Sequence, residues 1–172
     1  MTPPDLTLIV SILVAGLTVS VGDRSARTAP QPWPDQAYRV EWQEPHIPEE
    51  VVAKITIAVP LTVKNTGNRV WPASQVVVSY HWLRDDRLVV WDGERTQLPR
   101  DLRAGSRAAL AVRVATPVEP GSYVLKLTLV HELVTWFEQR GATMFIQPVA
   151  VHPPTGSFAC DSSGSTPCPA SH

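Results

Sequence analysis

The sequence predicts an all-β domain built from two stacked antiparallel sheets, and three observations carry that prediction. Apolar and polar residues alternate at period two in run after run, and no ten-residue stretch of the body follows the helical period. Turn formers punctuate these runs, as in Asn65-Thr66-Gly67, Asp92-Gly93, Ala104-Gly105-Ser106 and Pro120-Gly121. Seventeen prolines in 172 residues oppose helices, because an interior proline removes a donor and clashes with the preceding turn.

The strands follow in order. Residues 36–42 set Tyr38, Val40 and Trp42 against Arg39 and Glu41, the pattern of a half-buried first strand. Pro45 and Pro48 separate it from residues 51–64, where Ile55, Ile57, Val59, Leu61 and Val63 share a face and Lys54, Thr56, Thr62 and Lys64 share the other. Pro60 cannot donate to a ladder, so this strand is at an edge there, bulged, or divided in two. Residues 76–83 are apolar on both faces, which makes them central. A turn at Arg84-Asp85-Asp86-Arg87 leads to residues 88–91, Asp92-Gly93 gives the strongest two-residue turn signal, and residues 96–98 pair back before Pro99. Residues 108–115 turn Leu110, Val112 and Val114 inward and Arg113 outward. Residues 123–133 set Tyr123, Leu125, Leu127 and Leu129 against Lys126 and Thr128. Residues 143–151 close the domain, with Phe145, Gln147 and Val149 opposite Met144 and Ile146.

Seven or eight strands with turns between them fit an immunoglobulin-like sandwich. Trp82 falls late on the third long strand, where such a sandwich buries its tryptophan. Tyr123 directly follows Pro120-Gly121-Ser122, the setting of a tyrosine corner. Leu61 or Val63, with Leu125, stands where antibody domains place cysteines, so the contact between sheets is apolar. Asn65, Gly67 and Gly121 are read as turn residues, structural like Trp82 and Tyr123.

The ends differ from the body. Residues 6–21 are uncharged and mostly apolar, and at 1.5 Å per residue they span roughly 24 Å as a helix, short of a ~30 Å hydrocarbon core. Residues 1–22 are therefore read as one hydrophobic helix, either a cleaved signal or a membrane anchor. Small residues at Ser20-Val21-Gly22 suit cleavage, while the missing positive charge before the segment does not suit a signal, and Arg24 and Arg27 after it, taken literally, put the rest of the chain inside. The last hydrophobic segment of a longer membrane protein and a buried soluble element are the remaining readings. Residues 23–35 form a Pro-rich linker whose Trp33 packs on the domain or sits at a membrane interface. Residues 152–172, rich in Pro, Ser, Gly and Thr, read as a disordered tail carrying the only cysteines, Cys160 and Cys168. Their pairing is left open; export accommodates them without requiring them.

Chemistry is sparse. The net charge of −1, with Lys and Arg scattered, gives no field for nucleic acid. His131-Glu132 opens like a zincin motif, but Thr135 stands where the second histidine belongs. His46, His81, His131 and His152 lack ligand spacing, and no nucleophile elbow, phosphate loop or dinucleotide fingerprint occurs. No catalytic residue, metal site or cofactor is expected. Six tryptophans are many for so small a domain, and an indole beside a turn is a platform for a sugar face. Trp91, Trp71 and Trp136, with Arg95 for hydroxyls, are the candidate binding residues. The competing structural reading has Trp71 staple the turn after Asn65-Thr66-Gly67 and Trp136 cap one end; Trp91 is hardest to explain as packing, since Val89 already supplies an apolar residue on its face.

Asn65-Thr66-Gly67 with Trp71-Pro72, Tyr80-His81-Trp82, Asp92-Gly93-Glu94-Arg95-Thr96, Leu98-Pro99, Ala104-Gly105, Thr116-Pro117, Pro120-Gly121-Ser122-Tyr123 and Glu132 with Trp136-Phe137 together resemble the immunoglobulin-like accessory modules of bacterial cell-envelope proteins, including those appended to membrane glycosyltransferases. The resemblance covers residues 38–151. The first two motifs are also similar to the four-tryptophan domains of autophagy receptors and their bacterial relatives, which carry Trp where this chain has Val59 and Leu127. The resemblance implies a non-catalytic module on the extracytoplasmic side, membrane-anchored or secreted, whose partner is an envelope glycan or protein. The alternatives are the end of a membrane glycosyltransferase with its active site elsewhere, and a structural spacer.

Overall fold

The computed structural model describes residues 30–154, which form a two-sheet β-sandwich. The hydrophobic helix expected over residues 1–22, residues 23–29 of the linker, and residues 155–172 of the tail with Cys160 and Cys168 lie outside the described residues, while His152, read as the start of the tail, ends the last strand.

Ten strands occur in order: β1 (Val40–Gln43), β2 (Glu50–Val52), β3 (Thr56–Asn65), β4 (Val76–Arg84), β5 (Arg87–Val90), β6 (Thr96–Gln97), β7 (Arg107–Ala115), β8 (Gly121–His131), β9 (Thr135–Trp136) and β10 (Phe145–His152). The smaller sheet has the order β1-β3-β7, and the larger β2-β10-β8-β4-β5, with β6 also on β4 and β9 also on β8. The chain before β3 thus contributes to both sheets: β1 lies antiparallel to β3, and β2 lies parallel to β10. Four antiparallel core strands crossing between sheets in this order give the immunoglobulin-like arrangement.

Period two explains the layers. Val76, Val78, Tyr80 and Trp82 of β4 and Tyr123, Leu125, Leu127 and Leu129 of β8 face Val59, Leu61, Val63, Val112 and Val114 of the smaller sheet, and all are buried. Each such aliphatic side chain contributes about 1.5–3 kcal/mol by leaving water. Two polar contacts lock the layers in register at one residue: the Ala115 N–H donates to Tyr80 Oη at 2.9 Å, and Trp82 Nε1–H donates to the Ala115 carbonyl at 2.9 Å. The Tyr123 hydroxyl donates to the Glu119 carbonyl at 2.9 Å, four residues upstream, which is the geometry of a tyrosine corner.

Several elements differ from the sequence reading. The segment 36–42 is not one strand: Asp35–Tyr38 is a 3-10 turn, and only Val40 onward pairs with β3. Tyr38 is drawn into the core there, where it meets Phe137 edge-on at 4.9 Å. Residues 51–64 divide, not at Pro60 but at Ala53-Lys54, where Lys54 turns through φ 63° and the chain changes sheets. Ile55 falls in that crossing and is exposed rather than inward. Thr116 holds the crossing, donating to Val52 and Ile55 carbonyls and accepting from Ile55 N–H. Pro60 sits inside β3 opposite Ala111, past the last β1 partner at Thr62, so its missing N–H breaks no ladder. Finally, β6 does not pair back on β5. Both strands add to the same edge of β4, so Asp92-Gly93 interrupts one broken edge strand instead of closing a hairpin.

The turn residues have measurable roles. Asn65 is fully buried and donates through Nδ2 to the carbonyls of Arg69 at 2.7 Å and Leu102 at 2.9 Å, while its Oδ1 accepts from Gly67 N–H at 2.9 Å. A Cβ on Gly67 would come within 2.6 Å of the Ala37 carbonyl oxygen, so only glycine lets this loop lie on the 3-10 turn. Gly121 opens β8 against the Arg84 guanidinium. The Asn65 and Gly67 contacts mark an upper end of the sandwich, where residue 30 enters and β8 finishes. At the lower end, β4 stops, β8 begins and β10 leaves.

Candidate functional site

The outward face of the larger sheet carries a cluster drawn from four parts of the chain. Ser79 and His81 point outward from β4, and Thr128 sits opposite Ser79 on β8. The segment after β5 supplies Trp91, Asp92, Gly93 and Arg95. The excursion from β8 through β9 to the 3-10 turn Glu138–Arg140 supplies Glu132, Trp136 and Glu138. That excursion straddles the sheet: Phe137 goes into the core against Trp71 and Tyr38, which leaves its neighbours Trp136 and Glu138 facing out.

His81 is the hub. Only 3% exposed, it meets the Trp91 carbonyl through Nδ1 and Glu138 Oε1 at 3.2 Å through Nε2. Both partners are oxygen acceptors, so the ring is held from both of its nitrogens. The ring stacks on Trp91 at 4.4 Å with planes 13° apart, and Trp136 leans over it at 4.7 Å. Glu138 receives a second hydrogen bond, from the Thr128 hydroxyl at 2.5 Å. Burial alone would raise the Glu138 carboxyl, but the hydrogen bonds from His81 and Thr128 outweigh it and hold the group below the usual carboxylate range.

Arg95 ties the fringe together. Its Nη1 donates to Ser79 Oγ at 3.0 Å, to the Gly93 carbonyl at 3.0 Å and to Asp92, while Nε donates to Glu132 at 2.8 Å. The guanidinium lies 5.0 Å over the Trp136 ring, and Trp136 lies 5.1 Å from Trp91. Gly93 hugs β4, where a Cβ would come within 2.6 Å of the Tyr80 ring. The outcome is one half-exposed indole, Trp91 at 45%, backed by His81 and Trp136, with Arg95 over Trp136 and its partners Asp92 and Glu132 on the same side of the sheet.

Of the four binding residues read from the sequence, Trp91, Trp136 and Arg95 meet here. Trp71 does not. It is 0% exposed, bridges to Leu102 and donates from Nε1 to the Ala37 carbonyl at 2.7 Å, so it staples the interior of the upper end and offers no face to a ligand. Trp82 and Tyr123 meet edge-on at 6.0 Å in the core, far from the outer face. Sequence reasoning missed His81, Glu138, Thr128 and Ser79. The available signal was the pair Ser79 and His81 on the alternate face of an otherwise apolar strand. Among the described residues, no group of three or more His, Cys, Asp or Glu side chains is arranged to hold a metal ion.

No protein-family model matches the chain, and no curated protein matches it. Solved structures with a similar course include the CARDB domain of a Pyrococcus furiosus protein in complex with di-metal ions, at 19% identity, covering 66% of this chain and 90% of that one with a TM-score of 0.41. A Listeria innocua β-glucosidase in complex with glucose is similar at 15% identity over 66% of this chain and 16% of that one, with a TM-score of 0.45. The alkylpurine DNA glycosylase AlkC of Pseudomonas fluorescens, bound to DNA containing an abasic site analog, is similar at 13% identity over 66% of this chain and 30% of its own, with a TM-score of 0.42. The immunoglobulin-like arrangement is read from the strand order and not from these likenesses.

Proposed function

We propose that the chain is a non-catalytic, membrane-tethered or secreted immunoglobulin-like module that binds envelope glycan on the extracytoplasmic side through the Trp91 platform. The observation that supports this reading is the convergence of Trp91, Trp136 and Arg95 on one outward face, with Asp92 and Glu132 paired to Arg95. An indole face stacks on the C–H face of a sugar ring, and the rim groups reach its hydroxyls. A non-catalytic role fits the titratable groups of the cluster, each of which is engaged with a neighbour: Asp92 and Glu132 with Arg95, and Glu138 with His81 and Thr128.

The full chain on a glycan array tests the reading. Trp91→Ala should weaken binding roughly ten-fold or more, about the worth of one well-placed aromatic contact, and leave the circular dichroism spectrum unchanged. Binding that survives the substitution would remove the platform from the account. The closed hydrogen-bond network around His81 and Arg95 supports a second reading, a structural spacer, which a blank array with no captured protein partner would favour. The resemblance to modules appended to membrane glycosyltransferases adds a third, a terminal piece of such an enzyme. Further hydrophobic segments in frame upstream of Met1 would support it. A reporter fused after His172 that is active only outside the cytoplasm decides the compartment.

A further inference from the structure

We propose that the upper end of the sandwich docks on an anionic lipid surface, with Leu133 inserted among the headgroups and Arg69, Arg100 and Arg103 set against their phosphates. This rests on the reading that residues 6–21 lie in a bilayer.

Leu133 is 91% exposed, more than any other large apolar side chain of the described residues. It also sits at φ 61°, in the left-handed region. The other non-glycine residues found there among the described residues are Glu44, Lys54, Asp85 and Asp86, all polar. A tip of this shape ordinarily takes Gly, Asn or Asp. Here the tip is fixed between β8 and β9, with the Val134 N–H donating to the His131 carbonyl at 3.0 Å and the Glu132 N–H to the Gln75 carbonyl at 2.8 Å. A leucine at this position is unfavourable in water twice over, through backbone strain and through its bare side chain. An apolar medium removes the second cost.

The surroundings have the chemistry of a headgroup layer's partner. Pro30, Trp33, Glu132 and Leu133 line one groove, Glu132 with its charge paired to Arg95, and the Arg69 guanidinium lies 5.5 Å over the Trp33 ring. The neighbouring groove is lined by Val70, 46% exposed, with Arg100, Asp101 and Arg103. Among the described residues no carboxylate forms an ion pair with Arg69, Arg100 or Arg103. Asp101, the acid between them, accepts a hydrogen bond from the Ala73 N–H. Exposed Leu and Val flanked by arginines and an indole are what a surface seated at headgroup depth requires. The lower end has the opposite sign, with Glu49, Glu50, Asp85, Asp86 and Glu119 against Lys54, Arg84 and Arg87.

Chain length points the same way. Residues 23–29 are all that separates Gly22 from Pro30, and even fully extended they reach about 25 Å. Pro30 enters at the upper end, so a bilayer-held segment keeps Leu133 and the arginines near the headgroups. Arg24 and Arg27 within that stretch add to the same charge.

The test uses the full chain in nanodiscs of phosphatidylcholine alone or mixed with phosphatidylglycerol, read by amide hydrogen exchange, with vesicle flotation in parallel. Exchange at residues 69–71 and 131–134 should slow about ten-fold in the anionic discs, consistent with a few arginines at a charged surface. Leu133→Asp and the double variant Arg100→Ser/Arg103→Ser should return it to the phosphatidylcholine rate, while flotation and the protection of residues 123–129 stay unchanged. A chain that floats but exchanges equally in both lipids overturns the docking and leaves the tether standing. A chain that does not float overturns the tether, and the docking with it.

Discussion

His81 and His131 occupy the two long central strands of the same sheet, are each 3% exposed, and each stack on an indole, Trp91 at 4.4 Å and Trp33 at 3.9 Å. Their electrical surroundings are opposite. His81, on the outer face, meets a carbonyl and the Glu138 carboxylate. His131, at the upper end of the core, meets the Tyr38 hydroxyl at 3.0 Å and lies near Arg69. Burial first, and then the Arg69 charge, hold the His131 ring below the usual histidine range and keep it neutral. Equal burial and equal stacking therefore leave the two rings with different partners, a carboxylate hydrogen-bonded to one and a tyrosine hydroxyl with a nearby guanidinium beside the other.

The largest break in this comparison comes from removing the carboxylate. Glu138→Ala removes the carboxylate shared by His81 and Thr128, two largely buried hydrogen bonds to a charged acceptor, so the domain should lose about 3 kcal/mol, read as a lower denaturant midpoint at unchanged slope. A loss of a few tenths would mean water replaces the carboxylate.

Acid should separate the two clusters. Unfolded His131 takes up its proton near pH 6.5, while the folded ring resists, so the unfolded state binds more protons and stability falls as pH drops below about 6.5. The Glu138 carboxyl is depressed in the fold, so its contribution is present above about pH 4.5 and lost as pH falls through the lower folded value. Melting midpoints against pH should show both declines; His131→Phe should abolish the first and Glu138→Gln the second. A variant that keeps its own decline would show that another group causes it.

Tyr38→Phe sharpens the His131 side. It removes the hydroxyl that contacts His131 and also accepts from the Trp33 N–H at 2.9 Å, at an expected 1–2 kcal/mol, about one buried hydrogen bond or slightly more. Tyr123→Phe touches neither cluster and costs about 1 kcal/mol through the lost bond to Glu119; an unchanged midpoint would mean the corner bond contributes nothing to stability.

Much of the fold was legible in the chain. The alternation of residues 108–115 became β7 and that of 123–133 became β8 with their faces as read, except that β8 ends at His131 and Leu133 falls in an exposed turn; the two-faced apolar run became the central β4. Tyr38 misled because it continues the alternation of Val40 and Trp42 while its backbone follows Pro34 into a 3-10 turn. Asp92-Gly93 misled because a turn dipeptide says that a strand stops, not which edge the next one joins. The site was half legible. An indole beside a turn can be noticed in a sequence, but Trp71 and Trp91 present the same signal and one is fully interior.

The sequence by itself determined that there are two layers and which residues face between them, because side-chain direction along a strand is local and has period two. Only the tertiary structure decided that Trp91, Trp136 and His81 share a face, that Trp71 is sealed inside, and that one histidine meets a carboxylate and the other an arginine. Those neighbours come from strand register and edge choice, which are set by contacts between segments far apart in the chain.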